Sequence, residues 1–138
     1  MCNILFLDAK VYPQAEEVPW GITAVNALGV SDEYANNTKI CIIDSGYDLG
    51  HEDLPSIASG ATITGQDNGR DLWYQDASGH GTHVAGIIAS IGDNGKGGHG
   101  VIRNGHANLH IIRVFNGNWV WGSFVRNAVR IALLILFM

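Results

Sequence analysis

The run Lys39–Asp44 constrains the fold more than any other stretch of this sequence. Between the lysine and the aspartate lie four consecutive apolar residues, three of them isoleucine, with no polar alternation. A short β-branched run of this kind predicts a strand that is covered on both faces, as in a parallel sheet. Asp44 then lies at the carboxyl end of the strand, where open α/β sheets bind their ligands.

The other patterned stretches place this strand among helices. Short helices are predicted near residues 22–28 and 31–36, further strands over 59–64 and 109–115, and longer helices over 80–91 and from Ser123 onward. This order predicts an α/β fold with a parallel sheet flanked by helices. We expect residues 18–138 to belong to one domain that ends in an apolar tail over 134–138. Residues 1–17 form an N-terminal segment to which we assign no element.

Composition excludes several classes of function. The chain has 138 residues, a formal net charge of −5 and no basic patch, which argues against binding nucleic acid. The apolar run over residues 131–138 is far shorter than the ~20 residues of a membrane span. The cysteines are Cys2 and Cys41. Because Cys41 lies inside the first predicted strand, we expect it to be a buried free thiol.

Two histidines three residues apart occur among small residues in the stretch Gly79–Gly86. A carboxylate such as Asp44 beside His80 would fix the tautomer of the ring and stabilise its protonated form, as in the base half of a nucleophilic triad. The alternatives are a carboxylate that only caps a turn, and a metal site on His80 and His83. No third ligand or catalytic glutamate lies near the two histidines in the sequence. His83 is therefore interpreted as a core histidine bonded to backbone.

Three motifs resemble the subtilisin-like serine proteases, or subtilases. They are Ile42–Gly46 with the acidic loop that follows it, His80–Gly86, and Val18–Ile22, which is similar to the start of a mature subtilisin. The Asp and His motifs occur in the order and at roughly the spacing of that family. The resemblance covers about residues 16–133. It implies a subtilisin-like parallel sheet flanked by helices, incomplete because it corresponds to about the first half of the catalytic domain.

The resemblance implies roles for individual residues. Asp44 would be the orienting aspartate and His80 the general base of a serine-type endopeptidase that acts on polypeptides. The substrate-binding residues implied are Trp119, Val120 and Trp121, beside which a peptide would add as a β-strand. The calcium ligands implied are Glu16, Asp53, Asp93 and Asn94, whose oxygen atoms suit a hard cation.

The resemblance also implies a nucleophile that these residues do not supply. The serine of the family lies in a Gly-Thr-Ser-Met-Ala-like motif and an asparagine is the oxyanion donor, and neither has a counterpart up to Met138. We therefore expect a fragment that carries the Asp and His of the triad but not the Ser, and that is inactive alone. The alternative is a short non-catalytic protein that binds peptide or calcium. Subtilases are mostly secreted or vesicular, although no signal peptide is recognisable here.

Overall fold

The structure, a computed structural model, describes residues 15–114 and 122–136. In chain order they form helix α1 (Trp20–Ala24), strand β1 (Lys39–Asp44), strand β2 (Thr62–Gln66), helix α2 (His80–Ala89), strand β3 (Asn108–Arg113) and helix α3 (Gly122–Leu136). Short 3₁₀ turns lie between them at Ala27–Gly29, Ala35–Asn37 and Ile57–Ser59. None of the described helices combines the length and the apolar character that crossing a membrane requires.

The three strands form one parallel sheet in the order β1-β3-β2. In this sheet Arg113 of the central strand β3 pairs with Asp44 of β1, and Ile112 pairs with Gln66 of β2. Helix α2 is the crossover between β2 and β3 that a parallel pair needs. Because the strands run in the same direction, their carboxyl ends meet at one edge of the sheet. Asp44 and Arg113 therefore lie at the same edge.

Both faces of the sheet are covered, as the uninterrupted apolar run in β1 predicts. The face toward α2 carries the larger core, whose fully buried members include Ala85, Ala89, Leu109 and Ile111. The face toward α3 carries a smaller core formed by Ile112, Val114, Ala128 and Ala132. A fully buried leucine or isoleucine contributes roughly 1.5–3 kcal/mol, so the sheet is stabilised from both sides. Cys41 borders the smaller core as a free thiol that is half-buried, not fully buried as predicted.

Strand β2 begins later than the sequence predicts. It starts at Thr62, three residues beyond the predicted start, because a 3₁₀ turn occupies the intervening chain. Ser56 and Ser59 close this turn with a reciprocal capping box. Gly60 then ends the turn in the left-handed region, with φ 89°. Ser59, which we assigned to the start of a strand, is thus part of a cap.

The helices before β1 are shorter than the sequence predicts. Helix α1 ends at Ala24, since Asn26 has a positive φ of 54° and interrupts the helix predicted over 22–28. The helix predicted over 31–36 is only the 3₁₀ turn Ala35–Asn37, which no side chain caps.

Helix α2 meets the end of β1 where there is no room for a side chain. A Cβ atom on Gly81 would overlap the carbonyl oxygen of Gly46 and lie 3.2 Å from the Cβ of Asp44. Gly46 has φ 127°, and a Cβ on it would overlap the carbonyl oxygen of Gln75. Gly81 thus allows the start of α2 to lie directly against the end of β1, and Gly46 allows the loop before α2 to pass close to it.

We expect Gly81→Ala to destabilise the fold by about 1–3 kcal/mol or more, because backbone atoms must move to admit the methyl group. Gly21→Ala is the matched control, since Gly21 is also helical and nothing lies within 4 Å of its missing Cβ. That control should gain up to about 1 kcal/mol from better helix propensity. Urea unfolding followed by circular dichroism measures both changes. Equal stability of the two variants would contradict the close contact.

Candidate active site

Asp44 and His80 are in direct contact at the carboxyl edge of the sheet. The Nδ1 atom of His80 lies 2.8 Å from Oδ1 and 3.0 Å from Oδ2 of Asp44. Asp44 ends β1 and is 8% exposed, whereas His80 begins α2 and its side chain is 63% exposed. The structure thus brings together the two residues that sequence analysis paired, and their catalytic roles stay predictions.

The contact determines which nitrogen of His80 is available for chemistry. The ionised carboxylate of Asp44 only accepts hydrogen bonds, so Nδ1 carries the proton and donates to it. Nε2 is then the nitrogen that can accept a proton. The backbone N–H of Ser45 donates a second hydrogen bond of 2.7 Å to Oδ1 of Asp44. These donors satisfy a carboxylate that would otherwise be costly to bury.

The electrostatics of the site favour a protonated His80. The hydrogen bond to Asp44 and then the negative charge of Asp44 raise the pKa of His80 above its ordinary value of 6.5. Desolvation of the ring opposes the rise, and the negative charge of Asp76 adds to it. A raised pKa makes the neutral imidazole a stronger base. The pair can therefore take up a proton from a neighbouring group and hold it.

Sequence analysis missed two residues at this edge of the sheet, Asp76 and Arg113. Arg113 is almost fully buried and donates to the carbonyl oxygens of Leu72 and Gln75, at 2.8 Å and 2.6 Å. These bonds fasten the loop between β2 and α2, which carries Asp76, to the end of β3. An aspartate a few residues before a helix start is a capping signal that indicates such a role for Asp76. The sequence signal for Arg113 is that it is the one charge in the strand predicted over 109–115, and this does not indicate its partners.

The interpretation of His83 as a core histidine is wrong. His83 is exposed and borders an open groove together with Trp20, Val25 and Ile87. Helix α2 turns the positions 81, 85 and 89 toward the sheet, and a residue two positions from 81 and 85 lies on the opposite face of a helix. Among the residues that the structure describes, no three metal-ligating side chains come together, at His83 or elsewhere.

The predicted substrate-binding residues follow the point where the chain leaves the sheet. The N–H of Val114 donates to the carbonyl oxygen of Asp44 at 2.8 Å, so the chain leaves β3 beside the buried carboxylate. Trp119, Val120 and Trp121 lie outside the residues that the structure describes. Their role in binding substrate stays a prediction.

Glu16, a predicted calcium ligand, holds the loop that follows α2. Its carboxylate accepts the backbone N–H groups of Asp93 and Gly95. Oε1 of Glu16 also lies 2.9 Å from Nε2 of His99, and both side chains are nearly buried. Asp93 therefore enters this cluster through its backbone N–H.

Asp53, a second predicted ligand, holds the same loop from the other side. It accepts the side-chain amide of Asn94 at 2.8 Å and the N–H of Gly98 at 3.0 Å. All four carboxylate oxygens of Glu16 and Asp53 therefore face N–H donors. Calcium needs six to eight oxygen ligands, and N–H groups that point at these oxygens repel a cation. In this arrangement the residues do not fit calcium, and the calcium assignment stays a prediction that the geometry does not support.

We expect the loop to be stable without calcium, so that excess EGTA and added calcium chloride leave the melting temperature unchanged. Glu16→Gln should lower the free energy of unfolding by about 1–3 kcal/mol, because the N–H groups of Asp93 and Gly95 lose a charged acceptor. Glu33→Gln is the control, since Glu33 is exposed and, within the described part of the chain, its side chain makes no hydrogen bond, whereas its backbone N–H donates to Ser31. Differential scanning calorimetry measures these effects. A calcium-dependent rise in melting temperature that Glu16→Gln abolishes would contradict this expectation.

Comparison with known proteins identifies the family. The sequence model of the Subtilase family matches residues 35–133. The chain belongs to the subtilase family. It is 34% identical over 120 residues to Subtilisin E of Bacillus subtilis (strain 168), and 36% identical over 118 residues to the Intracellular serine protease of Paenibacillus polymyxa. These alignments cover 83% and 81% of the chain.

A solved subtilase structure supports the same assignment. The crystal structure of the psychrophilic subtilisin-like protease Apa1 from the Antarctic psychrotroph Pseudoalteromonas sp. AS-11 matches with a TM-score of 0.75, 44% sequence identity and 87% coverage of this chain. The fold is therefore a subtilisin-like parallel sheet with flanking helices. The chain spans 30% of Subtilisin E, 35% of the Paenibacillus protease and 27% of the Apa1 chain. It thus corresponds to part of a subtilase domain.

Proposed function

We propose that this chain provides the Asp–His half of the catalytic site of a subtilisin-class serine endopeptidase. Membership of the subtilase family supports proteolysis at the level of the family. The observation that carries the residue assignment is the 2.8 Å contact between Asp44 and His80. An accessible imidazole that a buried carboxylate orients is the general-base unit of this chemistry.

In the proposed reaction, Nε2 of His80 accepts the proton of a serine hydroxyl as that oxygen attacks the carbonyl carbon of a peptide bond. His80 then gives the proton to the leaving amine nitrogen. Asp44 keeps Nδ1 protonated and stabilises the imidazolium between the two steps. Burial of Asp44 strengthens this stabilisation because little water screens its charge.

The proposed nucleophile is a serine outside these 138 residues. The chain contains seven serines, and none lies in a Gly-Thr-Ser-Met-Ala-like motif. Ser45 follows Asp44 directly, but its buried hydroxyl accepts the N–H of Gly81 and donates to Asp76. Since the chain spans 30% of Subtilisin E, we propose that further sequence supplies the nucleophile, the oxyanion donors and the rest of the site for polypeptide substrates.

We expect the 138-residue chain alone to show no serine labelling by a fluorophosphonate probe. Sequencing of the transcript across the codon for Met138 identifies any longer chain, and a longer chain with a Gly-Thr-Ser motif should be labelled. In that protein, Asp44→Asn should slow labelling by roughly 10⁴-fold and His80→Ala by roughly 10⁶-fold, the losses seen when triad members are removed from serine proteases. Labelling rates measured by mass spectrometry test this.

His106→Ala is the control for these variants. His106 is also an exposed histidine, but it precedes β3 and therefore lies toward the opposite end of the sheet from His80. Its replacement should leave the labelling rate unchanged. Rapid labelling of the 138-residue chain would contradict the assignment of the nucleophile to further sequence. Undiminished labelling of the His80→Ala variant would contradict the assignment of the base.

A further inference from the structure

The carboxylate of Asp76 accepts four hydrogen bonds between the ends of two elements. Its Oδ1 atom accepts the hydroxyl of Ser45 at 2.9 Å and the N–H of Gly79 at 3.0 Å. Its Oδ2 atom accepts the N–H of Thr82 at 2.8 Å and the hydroxyl of Thr82 at 2.7 Å. The four donors belong to three residues that flank the proposed catalytic pair, because Ser45 follows Asp44, and Gly79 and Thr82 lie on either side of His80.

Ser45 connects this network to Asp44 and to the helix turn that carries His80. Its backbone N–H donates to Asp44, and its hydroxyl accepts the N–H of Gly81 at 2.9 Å while donating to Asp76. The side chain is fully buried, so water does not compete for these bonds. The end of β1 and the first turn of α2 are therefore joined through one hydroxyl group.

The network also caps helix α2. Gly79 occupies the N-cap position and has no side chain to accept the first N–H groups of the helix. Asp76 accepts the N–H of Thr82, and Ser45 accepts that of Gly81. A negative charge at a helix N-terminus is favourable. These bonds orient the first turn of α2, on which His80 lies.

Burial alone would raise the pKa of Asp76, but the hydrogen bonds from Thr82, Ser45 and Gly79 outweigh burial and hold it below its ordinary value of 3.8. Asp76 is therefore ionised at neutral pH and remains a full acceptor. The loop that carries Asp76 is held in place by Arg113 at the end of β3. The guanidinium of Arg113 donates to the carbonyl oxygens of Leu72 and Gln75, which precede Asp76 in the chain.

We propose that Asp76 is a positioning residue for the proposed catalytic pair, and that it acts through Ser45 and the first turn of α2 to hold His80 against Asp44. It does not touch the reacting atoms. The catalytic consequence rests on the proposed function, whereas the effect on His80 can be measured without any activity. The positioning role of Asp76 and the proposed proteolytic function can therefore be tested separately.

The test is a proton and carbon NMR titration of the 138-residue chain with labelled histidine, in which the signal of His80 is assigned from a His80→Gln variant. Asp76→Asn should lower the pKa of His80, because a nearby negative charge is lost and the bond to Asp44 lengthens. The downfield signal of the Nδ1 proton of His80 should move upfield, because its hydrogen bond to Asp44 lengthens. Asp67→Asn is the control, because it removes an equal charge from the same loop. Among the described hydrogen bonds, the side chain of Asp67 accepts only the N–H of Trp73. This variant should change neither the pKa of His80 nor the signal of its Nδ1 proton.

Ser45→Ala separates positioning from charge. It removes the hydroxyl that joins Asp76 to the N–H of Gly81, while the backbone N–H bond to Asp44 remains and no charge changes. The Nδ1 proton of His80 should therefore move in the same direction as in Asp76→Asn. Where Asp76→Asn fails to fold, Thr82→Val removes one hydroxyl donor and should give a smaller shift of the same sign. If His80 titrates alike in wild type, Asp76→Asn and Ser45→Ala, the proposal is overturned.

A longer, active form of the protease gives a second readout. There Asp76→Asn should lower kcat by tenfold or more with little change in KM, because the geometry of the base changes while substrate contacts remain. An inactive wild type alongside altered His80 signals would overturn only the proposed function. A normal kcat in Asp76→Asn, in an enzyme that needs His80, would overturn the positioning role.

Discussion

The buried carboxylate of Asp44 is the constraint on which the rest of the described structure depends. A charge that is only 8% exposed must receive hydrogen bonds, or its burial would cost several kcal/mol. The donors are the N–H of Ser45 and Nδ1 of His80. To supply the second donor, α2 must begin against the end of β1, and the missing side chain of Gly81 makes that approach possible.

The carboxyl edge of the sheet gathers the groups that keep this contact in place. β1 contributes Asp44, β3 contributes Arg113, and the loop between β2 and α2 contributes Asp76. The guanidinium of Arg113 fixes the backbone of the loop, and the loop fixes the first turn of α2 through Asp76. Two negative charges thus act on the imidazole of His80, one through direct contact and one at longer range, and both raise its pKa.

The sequence predicted the features that depend on a short run of residues. It did not predict the features that depend on contacts between distant parts of the chain. The apolar run in β1 was sufficient to predict a strand covered on both faces, and the Asp and His motifs predicted the pair. Helix α2 is apolar at positions 84, 85, 87 and 88, so its pattern does not show which face meets the sheet, and His83 was assigned to the wrong side. The role of Arg113 arises only when β3 ends beside a loop from another part of the chain.

The tautomer of His80 tests the central claim most directly, because the claim requires Asp44 to hold the proton on Nδ1 and leave Nε2 free. Nitrogen-15 chemical shifts of the neutral ring distinguish the two tautomers. The account predicts a protonated Nδ1 and an unprotonated Nε2 in the wild-type chain, and a mixture of tautomers in Asp44→Ala. A wild-type ring that carries its proton on Nε2 would contradict the assignment of His80 as an oriented general base.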